Sequence, residues 1–526
     1  MTVGSRRKFL GTLGGASAVL IFAPSIIARA ALGTWKSNPF TLGVASGAPR
    51  PDGFVLWTRL APDPLDDNRE TPGGMSGGNV EIAYEISHDP KMQRILHRGV
   101  AIAEKTYAYS VHCDVRGLPP GRPYWYRFMA GDAVSPIGRA MTLPARGAHI
   151  DRLRFAYFSC SNYEHGYFSA YRHAADEEPD LAIFLGDYIY EYIDTKHSLV
   201  RRHSGGAESR TLAQYRNRYA QYRTDPDLQQ IHAVCPSLIT WDDHEVQNDY
   251  ADKWSQTFDD PLDFYVRRAA AYQAFYEHMP VPPQHAPHGP AMQVYGRHEI
   301  GDLLTLNMLD GRQYRSREAC YGKPDKGRGH LESDASCPER LDAARSLLGQ
   351  KQENWLFASL AKSRTRWNIL AQDVMMAQFK QKNKSGEVQF WTDDWNGYPQ
   401  GRARVLQHIH DSRVPNPVVI TGDIHSFWAN DLKLGDADSA PVAAELIGTS
   451  VSAIAPDYDT FAAFLPDNPH VKFFESRKRG YVSVELSSDR LLAHFRTVSD
   501  VTASDASVDT LSSFTVESGR PGIAPA

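Results

Sequence analysis

The chain has 526 residues, a formal net charge of −5 at pH 7 and a sequence pI near 6.5. With 42% hydrophobic and 23% charged residues it has the composition of an ordinary globular protein, long enough for two domains. This small negative charge gives no overall attraction to nucleic acid or to an anionic membrane, so sequence-specific nucleic acid binding is not expected.

Residues 1–30 have the order of features found in a twin-arginine signal peptide. Arg6 and Arg7 precede a weakly apolar stretch at 10–27, and the Ala-Arg-Ala of residues 28–30 resembles a cleavage site. A chance arginine pair in a cytoplasmic protein is the alternative. We predict export through the twin-arginine translocation machinery to a periplasmic or extracellular location. No other stretch is long and apolar enough for a transmembrane anchor in the mature form.

Residues 38–145 are predicted to form a small all-β domain. Strand-like runs at 53–58, 80–84 and 124–128 are separated by turns rich in glycine and proline. This spacing is typical of a β-sandwich of fibronectin or immunoglobulin type. The region has no cluster of catalytic residue types, so we interpret it as structural.

From residue 151 to about residue 500, apolar strand-like runs alternate with helical segments, which predicts an α/β domain. The predicted strands are 153–159, 181–185, 237–241, 303–309, 367–371 and 417–421. The predicted helices are 170–177, 212–222, 269–277, 343–363 and 404–410.

Two long segments and the C-terminal end interrupt this alternation. Segments 190–235 and 312–345 are predicted to be insertions, and loops of such length are usually functional. Residues 501–526 are rich in serine, glycine and proline, and are predicted to form a flexible tail.

The five cysteines permit disulfides in an exported protein, and their odd number leaves at least one thiol free. Cys320 and Cys337 flank a charged, glycine-rich loop and could pair. Cys160 is not expected in a disulfide, because it belongs to the polar clusters that follow the strands.

Each predicted strand of the α/β region is followed by polar residues that could bind a metal ion. In order these are Cys160; Asp187 with Tyr190; Asp242, Asp243, His244 and Glu245 with Asn248; Asp310 with Arg312 and Arg315; Asp373; and Asp423 with His425. Binding sites of open α/β sheets form at the carboxyl ends of the strands. Neighbouring multivalent cations need several anionic ligands, and a carboxylate such as Asp187 can bridge two of them.

Taken singly, each of these residues has an ordinary structural explanation. A Gly-Asp pair after a strand is usually a turn, and an acidic cluster can begin a helix. A lone Cys160 would be a buried apolar residue, and a lone His425 a hydrogen-bonded core histidine. Because the residues occur together at successive strand ends, we predict one multi-metal site.

The order of the motifs resembles that of metallophosphoesterases such as purple acid phosphatases, and the details are similar to PhoD-type alkaline phosphatases. The similar stretches are 158–163 (Phe-Ser-Cys-Ser-Asn-Tyr), 186–191 (Gly-Asp-Tyr-Ile-Tyr-Glu), 240–248, 309–315 and 421–426, with 43–47 and 56–60 near the N-terminus. This resemblance covers nearly the whole mature chain. It implies an α/β metallophosphoesterase-like sandwich core preceded by the small all-β domain.

The resemblance also implies one ferric ion and two calcium ions. Cys160, Asp187, Tyr190 and Asp423 would surround the iron, with Asp187 bridging to calcium. The remaining ligands or phosphate contacts would be His425, Asp243 or Asn248, and Asp393 or Asp394. The last choice is open, because the family's Trp-Asp-Gly-Tyr is Trp-Asn-Gly-Tyr at residues 395–398.

We therefore predict a metal-dependent phosphoesterase in which a metal-bound hydroxide or oxide attacks the phosphorus of a phosphate mono- or diester. His244 or His425 would protonate the leaving oxygen. Arg312 and Arg315 are candidates for binding phosphate, with a structural ion pair as the alternative.

Three other functions fit parts of the pattern. A phosphodiesterase or phospholipase D of the same family would share the metal centre and differ in access to it. An exported metal-dependent redox protein is less consistent with the abundance of carboxylates and the lack of a cysteine cluster. A non-catalytic binding protein would leave the dense carboxylate set unexplained.

Overall fold

The computed structural model describes residues 34–66, 68–322, 327–435 and 439–526. The predicted signal peptide, residues 1–30, lies outside the described residues. Among the described helices, none combines the length and the apolar character needed to cross a bilayer.

The N-terminal region consists of strands with short helical turns between them. Its strands are β1 (Val44–Arg50), β2 (Gly53–Arg59), β3 (Val80–Ser87), β4 (Ile95–Ala103), β5 (Ser110–Val115), β6 (Pro123–Ala130), β7 (Ala133–Val134) and β8 (Gly138–Met141).

The rest of the described chain alternates strands and helices before ending in strands. The strands are β9 (Arg152–Phe158), β10 (Leu181–Leu185), β11 (Ser237–Thr240), β12 (Gly296–Ile300), β13 (Leu304–Met308), β14 (Leu331–Glu332), β15 (Trp367–Ala371), β16 (Gln381–Lys382), β17 (Val388–Trp391), β18 (Pro417–Thr421), β19 (Phe427–Leu432), β20 (Ala443–Ile447), β21 (Val471–Glu475), β22 (Gly480–Ser487), β23 (Arg490–Val498), β24 (Val508–Glu517) and β25 (Arg520–Pro525). The helices are α1 (Ser169–Asp176), α2 (Leu212–Arg223), α3 (Pro226–Val234), α4 (Pro261–His278), α5 (Gly349–Ala361), α6 (Pro399–Asp411) and α7 (Tyr458–Ala462).

Two large mixed sheets organise the molecule. The first has ten strands in the order β25-β24-β23-β22-β9-β10-β11-β1-β2-β5. The second has seven, in the order β12-β13-β15-β18-β20-β19-β21. A three-stranded sheet, β14-β17-β16, and the N-terminal sheet of β4, β3, β6, β7 and β8 complete the set.

The two large sheets pack face to face. Fully buried side chains from both sheets, such as Ile183, Leu306 and Val418, form the core between them. A second apolar cluster joins α1–α4 to the outer face of the first sheet, and a third joins α5 and α6 to the outer face of the second. The layers are therefore helix, sheet, sheet and helix, with the parallel strands central in each sheet.

The N-terminal strands are divided between two sheets. β1 pairs with β11 in parallel register, Gly47 opposite Ser237, so β1, β2 and β5 extend the first large sheet. The remaining N-terminal strands pack against them through residues such as Phe54, Ile82 and Tyr126. The predicted all-β region is thus continuous with the central sheet.

The prediction of a flexible tail at residues 501–526 is wrong. Most of this segment forms β24 and β25, which close one edge of the first sheet. Phe514 and Val516 are 3% and 1% exposed and belong to the core between the sheets. The serine- and glycine-rich composition concealed this short alternation of apolar residues.

Candidate metal centre

The polar clusters predicted from the sequence lie at one edge of the two-sheet sandwich. β9, β10 and β11 run parallel in the first sheet, and β13, β15 and β18 run parallel in the second. The residues that follow these six strands therefore meet where their carboxyl ends converge.

Backbone geometry brings these strand ends unusually close. A Cβ on Gly186 would lie 2.4 Å from the Cβ of Asp242, and a Cβ on Gly311 would lie 2.2 Å from Oδ2 of Asp373. At Gly186, whose φ is +100°, the contact includes the backbone nitrogen of Asp242, so glycine is required there, while at Gly311 the Asp373 carboxylate lies against the backbone.

Four candidate ligands adopt a conformation that is uncommon for residues other than glycine. The φ angles of Cys160, Asp187, Asp423 and His425 are +60°, +51°, +64° and +55°. A left-handed residue of this kind costs of order 1 kcal/mol or more and persists where the surroundings impose it. The sharp turns direct these side chains off the strand ends, and such strain is typical of functional sites.

Potential metal donors form three overlapping groups, within each of which the ligand atoms lie no more than 4.8 Å apart. The groups are Cys160 with Asp187 and His425, Asp187 with Asp243 and His244, and Asp242 with Asp243 and Asp423. Asp187 and Asp243 each belong to two of these groups, so the three groups are continuous with one another.

Tyr190 joins this arrangement through its hydroxyl. The phenol oxygen lies 2.9 Å from Oδ2 of Asp187 and 3.0 Å from Nε2 of His425. The Nδ1 of His425 is 2.6 Å from the Ile454 carbonyl, to which it must donate, so Nε2 carries no proton in the neutral ring. With Asp187 ionised, one phenol proton cannot serve both acceptors, whereas a cation between the three side chains would satisfy all of them.

Several buried carboxylate oxygens also lack a hydrogen-bond donor among the described residues. Asp187 Oδ1, Asp242 Oδ2 and both oxygens of Asp373 accept no hydrogen bond. Burial raises the pKa of Asp187 and of Asp242 well above the usual range. The negative charges of the neighbouring carboxylates raise it further. Buried carboxylate oxygens that accept no hydrogen bond are costly unless a cation binds them, so the residues present fit a cation site.

Cys160 is a free, fully buried thiol beside these carboxylates. Its Sγ lies 3.7 Å from the Asp423 carbonyl. Burial, with the nearby charge of Asp187 and Asp423, raises the pKa of the thiol well above its ordinary value. A cation in the site would favour the thiolate, which is the form that binds metal.

Arg312 is completely buried within the carboxylate cluster. It forms a short ion pair with Asp242 and donates to Asp393 at 2.8 Å. Arg315 donates to the same Asp393 oxygen at 2.7 Å. These contacts favour the structural ion-pair role over direct phosphate binding for both arginines.

His244 lies over the ring of Tyr190, with the ring centroids 4.2 Å apart. Its Nδ1 is 2.7 Å from Glu191 Oε2. Burial alone would lower the pKa of His244, but the carboxylates of Asp243 and Asp187 raise it well above its usual value. With Nδ1 held by Glu191, Nε2 is the nitrogen available to other groups.

The other predicted ligands form hydrogen bonds with residues outside the three donor groups. Asn248 donates through its side chain to Gln256 at 3.1 Å. Asp393 accepts from the two arginines, and Asp394 accepts from the side chain of Asn396 at 2.8 Å. Asp393 and Asp394 both line a pocket that opens beside Asp423 and His425.

The sequence named Glu245 as a possible metal donor but did not predict the hydrogen bonds by which it holds two strand ends. Glu245 accepts backbone hydrogen bonds from Asp187 at 3.1 Å and from Asp242 at 2.8 Å, which fixes two strand ends together. Asp249, with a φ of +53°, lines the same pocket as Asp393. Glu245 lies in the stretch 240–248, which carries the family resemblance. No sequence signal marks Ile454, whose carbonyl accepts the hydrogen bond from His425.

The cysteine predictions can be compared with the structure directly. Cys320 and Cys337 form a disulfide, the option that the sequence left open. Cys113, Cys160 and Cys235 are free and buried, as expected for Cys160.

Comparisons with known proteins agree over nearly the whole chain. Residues 155–495 match the family model of the PhoD-like phosphatase, and residues 27–144 match that of its N-terminal domain. Alkaline phosphatase D of Bacillus subtilis (strain 168) is 41% identical over 535 residues, covering 98% of this chain and 88% of the relative. A solved structure of PhoD superposes with a TM-score of 0.87 at 41% identity, covering 94% of this chain and 93% of that one.

The family predicted from the motif order is confirmed by these matches, which span both the N-terminal strands and the region that carries the site. The chain belongs to the PhoD-like phosphatase family.

Proposed function

We propose that this chain is a metal-dependent alkaline phosphatase of PhoD type that hydrolyses phosphate esters. Family membership supports the reaction class. The single observation that carries the metal centre is the overlap of three donor groups through Asp187 and Asp243. A mononuclear site would not need shared carboxylates.

We assign the ions by the chemistry of their donors. Cys160, Asp187, Tyr190 and Asp423 would hold a ferric ion, since thiolate and phenolate are strong anionic donors. Two calcium ions would take the oxygen-rich side, with Asp187 as the bridge. Asp243, Asn248, Asp393 and His425 are the proposed remaining ligands. Of these four residues, Asp393 already has two cationic partners, because it accepts hydrogen bonds from Arg312 and Arg315.

Cations of this kind, when bound, polarise phosphate oxygens. They also lower the pKa of a water molecule, which makes it a better nucleophile toward phosphorus. The chain's own residues would position the ester and move the proton. His425 is held by the Ile454 carbonyl, and His244 is held by Glu191, so each presents Nε2. We propose that His244 Nε2 donates the proton to the leaving oxygen.

We further propose export by the twin-arginine route to the periplasm or the exterior. The features of residues 1–30 support it. The disulfide between Cys320 and Cys337 is consistent with an oxidising compartment.

Elemental analysis of the purified mature protein, combined with hydrolysis of a phosphate monoester and a diester, tests the proposal. We expect iron and calcium in the protein, loss of turnover after chelation, and recovery when both ions return. The ratio of the two rates separates a phosphatase from a phosphodiesterase or phospholipase D. Full turnover by metal-free protein would contradict the proposed centre.

A further inference from the structure

A pocket of about 360 Å³ opens directly beside the candidate metal centre. Asp423 and His425, which belong to the donor groups, line it together with the carboxylates of Asp249, Asp393 and Asp394. Its volume is within the range of small-molecule sites. A phosphate held at the centre would therefore direct its organic group into this space.

Apolar side chains form another part of the pocket lining. Leu331, Ile424 and Phe461 are partly exposed there, and Trp391 exposes 37% of its surface. Partly exposed apolar side chains grouped around a cleft are typical of a binding surface, and a tryptophan offers the largest apolar contact area of any side chain.

The position of Trp391 is well defined. It ends β17, opposite Leu331 of β14, and a Cβ on Gly329 would lie 2.7 Å from its ring. The indole thus rests against a glycine backbone with no side chain between, which leaves its other surface toward the pocket.

The pocket also lacks a feature that a polyanionic substrate would require. No lysine or arginine lines it within the part of the chain that the structure describes. Such a wall does not favour a second phosphate or a carboxylate, whose charges would remain unpaired beside Asp249, Asp393 and Asp394.

We infer that this pocket is a subsite for an apolar organic group of the phosphate ester, alkyl or aryl, and that Trp391 is a specificity-determining residue. The inference rests on the proposed function, because it needs the phosphate to bind at the adjoining centre. It deepens that function by stating the class of alcohol that the enzyme prefers.

Hydrolysis of n-hexyl phosphate and glycerol 3-phosphate by the metal-loaded enzyme tests the inference. Both esters release a primary alcohol, so they differ mainly in polarity, and each is also assayed as its methyl diester. We expect a higher kcat/KM for the hexyl compounds. The change Trp391→Ala should lower kcat/KM for them about tenfold, with less than about a twofold effect on the glycerol compounds.

Two further variants serve as controls. Trp391→Phe keeps an aromatic ring and should retain most of the hexyl preference. Leu262→Ala removes a side chain that is 74% exposed on α4, outside the pocket, and should change neither rate. Unfolding temperatures of all variants are compared with that of the wild type, so that a rate lowered by unfolding is distinguished from a lost contact.

The outcomes separate the two proposals. If the wild type does not discriminate between the alcohols, or if Trp391→Ala lowers both rates equally, the subsite is wrong while the phosphoesterase stands. If none of the four compounds is hydrolysed by metal-loaded protein, the proposed function fails and the inference fails with it.

Discussion

Cys160 illustrates how one residue acquires its role from its neighbours. By itself it would be a buried apolar side chain, but its left-handed turn places its sulfur among Asp187, Asp423 and His425. The sequence predicted the residue and its site. The positive φ was not predictable, because it opposes the local preference of cysteine and is imposed by tertiary contacts.

Replacing Cys160 by serine tests the assigned thiolate ligand. A serine hydroxyl keeps its proton near neutral pH and is a weaker donor to iron, so we expect iron retention to fall about tenfold or more. Elemental analysis gives the iron content, and thermal unfolding shows whether the fold is retained.

Cys235→Ser provides the matched control, because Cys235 is also a free buried thiol but lies outside the donor groups. Its iron content should equal that of the wild type. Equal iron content and equal turnover in Cys160→Ser would remove Cys160 from the set of ligands.

The arginines show where residue-level prediction ended. Arg312 and Arg315 were predicted as phosphate contacts or structural ion pairs, and their burial against Asp242 and Asp393 favours the second role. Which carboxylate an arginine neutralises depends on residues about 70 to 80 positions apart in sequence. A single sequence does not show which distant residues form ion pairs.

At the scale of elements, the parallel strands were the most predictable part of the fold. Strands β10, β15 and β18 have the predicted bounds, because short apolar runs bounded by turns are typical of strands buried on both faces. Helices were predicted less well. α4 begins eight residues earlier than expected, and α3, a helix of nine residues, was not predicted.

The disulfide joins the ends of a segment in which the two-residue strand β14 is the one strand among the described residues. Cys320 and Cys337 are 17 residues apart. A cross-link that closes a loop of this length lowers the conformational entropy of the unfolded chain, which stabilises the folded state by about 3 kcal/mol. We expect the double change Cys320→Ser and Cys337→Ser to speed proteolytic cleavage within 320–337. Mass spectrometry of timed digests measures the rate.

Wild-type protein treated with a reductant provides an independent route to the same state. It should be cleaved at the rate of the double variant, while the oxidised protein is cleaved slowly. Equal rates for oxidised and reduced protein would show that the disulfide does not restrain the segment.

At the scale of the whole molecule, the first large sheet contains both N-terminal and C-terminal strands. β1 joins the N-terminal strands to β11, and β24 and β25 close the opposite edge. Neither connection was predicted, because strand pairing between distant segments depends on edges that a single sequence does not identify. Site residues at the ends of β9, β10 and β11 are thereby supported from both sides.

Phe514→Ala tests the role of the C-terminal strands. Phe514 is 3% exposed and contacts the rings of Phe473 and Phe495, so its loss should lower the free energy of unfolding by about 3–5 kcal/mol. Leu511→Ala, on the same strand but 36% exposed, should change it by about 0.5 kcal/mol or less. Denaturant unfolding measures both, and an effect of Phe514→Ala as small as that of Leu511→Ala would contradict the packing of the C-terminal strands.

The central claim is that shared carboxylates assemble several cations at one edge of the sandwich, and Asp187 is the residue on which it most depends. The direct test is to measure metal content and turnover in Asp187→Asn beside the wild type, with Asp263→Asn on the exposed face of α4 as the control. We predict that Asp187→Asn loses iron and has turnover reduced by about a thousandfold or more, since it removes a bridging charge, while the control is unchanged. Unchanged metal content and turnover in Asp187→Asn would contradict the proposed centre.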